Sequence, residues 1–470
     1  MQDLSTAGES IEDVARRQNG YAVHLAKINE SNPVISTENI LNSDGVLLVP
    51  EGTRISHDQT QNILKHKLLK PIEEQVVLEN IISNDKILQN ITSLLNSYPD
   101  MGQIHERLNF QTVLKEILGK ISLNHVLAQK ITVLSKQITH EYEKSLLVAW
   151  FSALIAKEHN EENSFIEESF VAGLFHDIGF LHISRDIVTK KGRYTASEWR
   201  TVQCHVVIGQ LLLKGVGSKY SNASEAILEH HERCDGSGYP VGKTDSNLDI
   251  MGQIIGISDS ILAVRINRFE NQKRNMKDLM PYLHMNSETH FRSVYDSVCS
   301  VLKQSELSQT QINACGTTAD LVASLKHRGS KLKNAVKLLM KLFVISELEK
   351  NCSSCGSLFK VSEPVMSMIT SSGIVLDEIF QWLDTLEDDL VTGDTLAELI
   401  EMELMQEELY WQLSRVCRII DEFTASSQNI CSPDNQQEYM NISAAIKEIL
   451  SEGKAPRLNF KYQKETSSKE

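Results

Sequence analysis

The sequence has no long hydrophobic run. Its longest strongly apolar stretch, residues 146–156, is too short to span a bilayer. The first ten residues, MQDLSTAGES, have neither the basic region nor the apolar segment of a signal peptide. The eight cysteines are scattered without the spacing of a disulfide framework, which is typical of a reducing compartment. The sequence therefore predicts a soluble, cytoplasmic protein with no membrane partner.

Basic residues are fewer than acidic residues. The chain has 47 lysines and arginines against 62 acidic residues, which gives a formal net charge of -15. Domains that bind nucleic acid are usually basic, so we expect no nucleic-acid partner. A small anionic ligand remains compatible, because local charge decides its binding. Cys352 and Cys355 have the spacing of half a zinc site or a redox pair, but no second pair follows, which favours two reduced thiols.

The chain of 470 residues has room for about three domains. Residues 36–100 combine short apolar runs with the capping-box pattern Ser56-x-x-Gln59, which predicts a small α/β module. The later sequence has a helical period almost throughout, so the predicted fold class is mainly α. The predicted segments are a poorly ordered lead-in (1–35), the α/β module (36–100), a helical domain (104–305), a helical C-terminal region (306–454) and a disordered tail (455–470).

Four histidines and two aspartates are concentrated in less than a fifth of the chain. They are His176, Asp177, His205, His230, His231 and Asp259. Asp177 and Asp259 both lie in strongly apolar segments, where a carboxylate is costly to bury unless it is paired or binds a metal. A purely structural buried aspartate is the alternative at each position. Together the six residues favour a shared metal centre, for which imidazole and carboxylate suit Fe, Mn, Zn or Ni.

The same residues stand in motifs that resemble the HD-GYP family. The motifs are His176-Asp177-Ile178-Gly179, His205, His230-His231-Glu232, Asp235-Gly236-x-Gly238-Tyr239-Pro240 and Asp259, over about residues 140–305. That family is a branch of the HD superfamily of metal-dependent phosphohydrolases, and its members hydrolyse cyclic di-GMP. The resemblance implies an all-helical domain that opens cyclic di-GMP to linear pGpG and onward to GMP.

The resemblance also implies roles for individual residues. Two divalent ions, Fe or Mn, would share Asp177, the catalytic residue, and a hydroxide that attacks phosphorus. The remaining ligands would be His176, His205, His230, His231 and Asp259. The implied substrate-binding residues are Gly236, Gly238, Tyr239, Pro240, Lys190 and Arg268. For Lys190, a solvated loop position is the alternative.

Three positions depart from the family pattern. Lys144 stands at the first ligand position, where a charged lysine cannot bind a metal, and His140, one helical turn earlier, is the predicted substitute. Phe180 replaces a lysine, and Gln253 stands where an arginine is common. These departures leave three alternatives: an active phosphodiesterase, a degenerate receptor for cyclic di-GMP, or an interaction scaffold. The apolar stripe of the C-terminal helices predicts core packing or a seam for a homodimer or protein partner.

Overall fold

The computed structural model describes residues 11, 20–29, 31–159, 161–190, 192, 194–308, 318–348, 356–386, 393–425 and 433–452. Its architecture is mainly helical with a small α/β portion at the N-terminal end, which confirms the predicted fold class. Among the helices in these ranges, none has the length and apolar character needed to cross a membrane. The predicted disordered tail and the Cys352–Cys355 pair lie outside the described residues.

The N-terminal module begins with a helix that the sequence did not indicate. Helix α1 buries Tyr21, Leu25 and Ile28, so the predicted poorly ordered lead-in is wrong for this part of the chain. Strands β1 and β4 pair antiparallel with Ile35 opposite Val77, and β2 pairs antiparallel with β3. The predicted capping box at Ser56 is present at the start of α2. The elements are α1 (Tyr21–Ile28), β1 (Val34–Ser36), β2 (Ile40–Leu41), β3 (Leu47–Val49), α2 (His57–Leu64) and β4 (Val76–Leu78).

The central helices surround α7 (Thr139–Glu158), which is buried on nearly every side. From Ser145 to Ala156 all its residues are buried, because apolar side chains follow one another without a polar face. Helices α8, α12 and α15 pack against it. The elements are α3 (Asn84–Ser97), α4 (Pro99–Arg107), α5 (Phe110–Lys120), α6 (His125–Gln137), α7 (Thr139–Glu158), α8 (Asn163–Phe175), α9 (Arg185–Val188), α10 (Ala196–Gly215), α11 (Ser221–Glu229), α12 (Ile250–Val264), α13 (Glu270–Gln272), α14 (Met280–Met285) and α15 (Arg292–Gln304).

The C-terminal region has a hydrophobic core of its own. This second core extends from Met285 to Leu450, whereas the first extends from Tyr21 to Leu307 and includes the N-terminal module, with Leu404 joining it from α19. The stripe residues Leu409, Leu413, Val416 and Ile420 are all buried here, as core packing requires. The elements are α16 (Thr318–Leu348), α17 (Gly356–Ser372), α18 (Asp377–Thr385), α19 (Gly393–Ala425) and α20 (Pro433–Glu452).

A buried ion pair connects the N-terminal module to the helical domain. Lys130 of α6 is fully buried, and its Nζ lies 3.1 Å from Glu73 Oε1 and 3.7 Å from the centroid of the Tyr21 ring. The same Nζ donates a hydrogen bond of 2.9 Å to Nε2 of His182. Burial and the neighbouring lysine lower the pKa of His182 to about 3, so its neutral ring can accept that bond. His182 ends the short 3-10 helix that follows His176 and Asp177.

We expect Glu73→Gln to destabilise the protein, because it leaves the Lys130 ammonium buried without a counter-charge. Breaking a buried pair from one side typically costs about 3–5 kcal/mol. Glu74→Gln changes an exposed neighbour and should alter the free energy of unfolding by less than about 0.5 kcal/mol. Urea unfolding of both variants measures the difference. Equal unfolding midpoints would contradict the stabilising role of the pair.

The same pair predicts a dependence of stability on pH. Burial raises the pKa of Glu73, but Lys130 and His182 outweigh it and lower that pKa from 4.5 to about 2. A carboxyl whose pKa is lower in the folded state stabilises fully above its unfolded pKa, and this contribution is lost as the pH falls through the folded pKa. Wild type should therefore lose stability between about pH 4.5 and 2. Glu73→Gln should show a smaller loss over that interval.

Candidate metal centre

Three buried histidines are held in the same way at helix ends or within a helix. Nδ1 of His176, His205 and His230 each donates to the carbonyl oxygen three residues earlier, at 2.8, 2.7 and 2.7 Å. This bond fixes the tautomer, so the lone pair of each neutral ring is on Nε2. In the described part of the chain, all three Nε2 atoms are buried and lack a hydrogen-bond partner of good geometry. Such atoms are suited to bind a metal.

The predicted ligands come together in two groups. In each group the ligand atoms lie within 4.8 Å of one another. The first group is Asp177, His205, His230 and His231, and the second is His176, His230 and Asp259. All six residues that the motifs indicate are therefore in one group or the other. Their nitrogen and oxygen donors fit a divalent metal ion.

His140 does not lie with them. Its side chain is exposed, and neither group in the described residues includes it. His140 lies in the exposed first turn of α7, so the structure does not bring this predicted substitute for the first ligand together with the other residues. Lys144 occupies that side of the site instead. Its Nζ lies 2.7 Å from Asp177 Oδ2 and 2.9 Å from Asp259 Oδ1, and 3.7 Å from Glu141 Oε2.

Charges inside the site follow from these contacts. Burial raises the pKa values of Asp177 and Asp259, but His176 and Lys144 outweigh it and hold both well below the ordinary value. Burial lowers the pKa of His176, but Asp177 outweighs it and raises that pKa to about 9, so without a metal its Nε2 carries a proton near pH 7 that a bound metal would displace. Burial and the neighbouring imidazoles lower the pKa of His230 to about 3, and burial also lowers that of His205. Both rings are thus neutral near pH 7.

The loop after His231 closes over the ligands. Tyr239 stacks on the His231 ring at a centroid distance of 4.6 Å, and the Tyr239–Pro240 peptide bond is cis. A Cβ on Gly238 would lie 2.4 Å from the His231 carbonyl oxygen, so a larger residue cannot fit there. The carboxylate of Glu232 accepts hydrogen bonds from the backbone N–H groups of residues 241, 242 and 243, at 2.7 to 3.1 Å. Glu232 therefore fixes the loop.

The predicted phosphate-facing residues have other partners. Nζ of Lys190 pairs with Glu198 at 2.5 Å, and Arg268 pairs with Glu407 of α19. Phe180 stacks on the His205 ring at a centroid distance of 4.3 Å. Gln253 is fully buried, and its Oε1 accepts a hydrogen bond from His290. The structure thus places Gly236, Gly238, Tyr239 and Pro240 in the loop beside the ligands, but it engages Lys190 and Arg268 in ion pairs.

The structure gives a reason for Gly179 and contacts for three charged residues that the sequence patterns did not indicate. Helix α8 ends at Phe175, and Gly179 follows it in the short 3-10 helix. A Cβ on Gly179 would lie 2.1 Å from the His205 carbonyl oxygen, so the residue permits close contact with α10. Lys144, Glu141 and Glu232 had no assigned role. The position of Glu232, directly between the double histidine and a glycine-rich loop, was a signal that could have identified it.

Comparison with known proteins agrees with this geometry. Residues 126–293 match the HD domain family. A cyclic di-GMP phosphodiesterase of Thermotoga maritima is 35% identical over 137 residues, covering 29% of this chain and 37% of that protein. A 3'3'-cGAMP-specific phosphodiesterase 1 of Vibrio cholerae is 32% identical over 139 residues, 30% of this chain and 32% of that protein.

A more extended match has lower identity. A cyclic di-GMP phosphodiesterase of Pseudomonas aeruginosa is 24% identical over 202 residues, covering 42% of this chain and 49% of that protein. The chain thus spans half or less of the length of these curated relatives. The match with the HD domain family includes all six residues of the two ligand groups. The family match therefore assigns residues 126–293 of this chain to an HD domain.

Proposed function

We propose that the HD domain is a metal-dependent phosphodiesterase that hydrolyses cyclic di-GMP to linear pGpG and onward to GMP. The observation that carries the proposal is the group of Asp177, His205, His230 and His231, whose ligand atoms lie within 4.8 Å of one another beside the Tyr239 loop. The names of the relatives, cyclic di-GMP and 3'3'-cGAMP phosphodiesterases, support a cyclic dinucleotide as substrate. We propose cyclic di-GMP as the first substrate to test.

Each residue of the site would make a separate contribution to hydrolysis. The group of Asp177, His205, His230 and His231 would hold a divalent ion, Fe or Mn in our proposal, which would supply Lewis-acid chemistry and a bound water of lowered pKa. Asp177 is a buried anion that supplies an oxygen to this group, and the neutral rings of His205 and His230 supply nitrogens. Tyr239, packed on His231, closes one side and helps to exclude water. The Lys144 ammonium adds positive charge where the phosphate becomes more negative.

A second candidate is a receptor that binds cyclic di-GMP and hydrolyses little. The observation in its favour is that Lys190 and Arg268, the two basic residues implied to bind substrate, already pair with Glu198 and Glu407. The predicted homodimer or protein partner on the C-terminal helices and the cytoplasmic location stay predictions. Metal content, turnover and binding must therefore be measured on the same protein sample.

We expect Asp177→Ala to abolish turnover of cyclic di-GMP. The substitution removes an anionic ligand atom and the partner of Lys144, and loss of such an electrostatic contribution typically lowers the rate by about 10²–10³-fold or more. Asp186→Ala, an exposed aspartate on α9, is the matched control and should retain wild-type turnover. Chromatography of products from protein loaded with Mn under anoxic conditions measures both, with 3'3'-cGAMP as a second substrate. Binding of cyclic di-GMP without turnover by wild type would favour the receptor instead.

We also expect Glu232→Gln to loosen the loop. The amide offers one acceptor oxygen in place of a carboxylate that holds three backbone N–H groups. A hydrogen bond to a charged group contributes about 1.5–3 kcal/mol, so amide exchange at residues 241–243 should become about ten- to a hundred-fold faster. Glu225→Gln, on the surface of α11, should leave the exchange rate at residues 241–243 unchanged. Hydrogen–deuterium exchange measures both variants, and an unchanged rate in Glu232→Gln would contradict the anchoring role.

A further inference from the structure

Lys144 lies where a second cation would have to bind. Its Nζ is 2.7 Å from Asp177 Oδ2 and 2.9 Å from Asp259 Oδ1, and its side chain is 15% exposed. The same oxygens face the second ligand group, since His176 Nε2 is 2.9 Å from Asp177 Oδ2 and 3.6 Å from Asp259 Oδ1. A lysine carries a positive charge near pH 7. A metal in the second group would therefore compete with the ammonium for two oxygen atoms.

The two oxygens of Asp177 face different sides. Oδ1 lies 3.3 Å from Nε2 of His205, which is a member of the first ligand group. Oδ2 faces His176 and Lys144. One carboxylate thus reaches a metal position on one side and an ammonium on the other. This arrangement leaves the first group complete while Lys144 contacts the second.

His230 cannot serve both groups. Its Nδ1 is used in the hydrogen bond to the carbonyl of Ile227, so Nε2 is the one nitrogen it can offer to a metal. Nε2 of His230 is common to the two groups. If a metal in the first group binds this nitrogen, the second group retains His176 and the aspartate oxygens that Lys144 contacts. A second divalent ion would then lie close to a buried ammonium, where like charges repel strongly.

We infer that this HD domain holds a single metal ion, in the group of Asp177, His205, His230 and His231, and that the Lys144 ammonium takes the place of a second ion between Asp177 and Asp259. This inference rests on the metal centre of the proposed function. It differs from the two ions that the family resemblance implies. The site then has a fixed, covalently attached cation on one side and an exchangeable one on the other. Its metal content, not its activity, is the direct measure.

The test is the metal content of the full chain loaded with Mn under anoxic conditions and freed of excess ion. Elemental analysis should give one Mn per chain, and electron paramagnetic resonance should show an isolated ion without the signal of a coupled pair. Two ions per chain in wild type, with a coupled signal, would overturn the inference. A Mn content near zero after this loading would also overturn the inference, because the four-ligand group would then not be a metal site.

Substitution of Lys144 distinguishes the effect of its charge on the metal content from the effect of its packing. Lys144→Met keeps an apolar stem of similar length and removes the charge, so the Mn content should rise from one to two and a coupled signal should appear. Lys144→Arg keeps the charge and should remain at one. If circular dichroism shows that Lys144→Met does not fold, Lys144→His, which supplies an imidazole, takes its place. A folded neutral variant that still holds one Mn would overturn the role of Lys144.

The outcome for the metal number and the outcome for the proposed function can be told apart. One Mn per chain without turnover of either cyclic dinucleotide supports the inference and contradicts the phosphodiesterase. Two Mn per chain with turnover contradicts the single-metal inference and supports the phosphodiesterase. Turnover with one Mn supports both, and binding of cyclic di-GMP can be followed separately by calorimetry.

Discussion

The burial of the Asp177 carboxylate is the constraint on which the centre of the molecule depends. Its side chain is 1% exposed, and a buried charge is tolerated only with close partners of opposite charge or a metal. Helix α7 supplies Lys144, the end of α8 supplies His176, and α10 supplies His205. Any shift of these helices would separate the charges. The electrostatics of the site therefore depend on where these helices cross.

The histidines show how local backbone geometry prepares this site. Each of His176, His205 and His230 uses a carbonyl three residues earlier to hold its Nδ1, a contact available in almost any helical turn. The ring is therefore oriented by its own helix before any contact with another. Packing then has to bring three such turns together. Gly179 allows one of these approaches, because its missing side chain leaves room for the His205 carbonyl.

Both flanking regions contact segments that adjoin the site. The N-terminal module reaches His182 through the buried Lys130–Glu73 pair, in the same 3-10 helix as Phe180. The C-terminal region reaches Arg268 through Glu407, four residues beyond the end of α12. The Lys130–Glu73 pair is buried and therefore sensitive to small displacements, whereas Arg268 and Glu407 are partly exposed. These contacts give the flanking regions a physical connection to the centre.

The sequence alone determined the helical class and the Ser56 capping box, and it indicated the six residues that lie in the two ligand groups. These depend on short-range patterns: apolar period, caps and motif spacing. Only the tertiary structure decided that His140 faces outward, that Lys144 joins Asp177 and Asp259, and that Arg268 pairs with α19. The reason is physical. A local pattern determines that a segment is helical, whereas the neighbour that a given face meets depends on how distant helices cross.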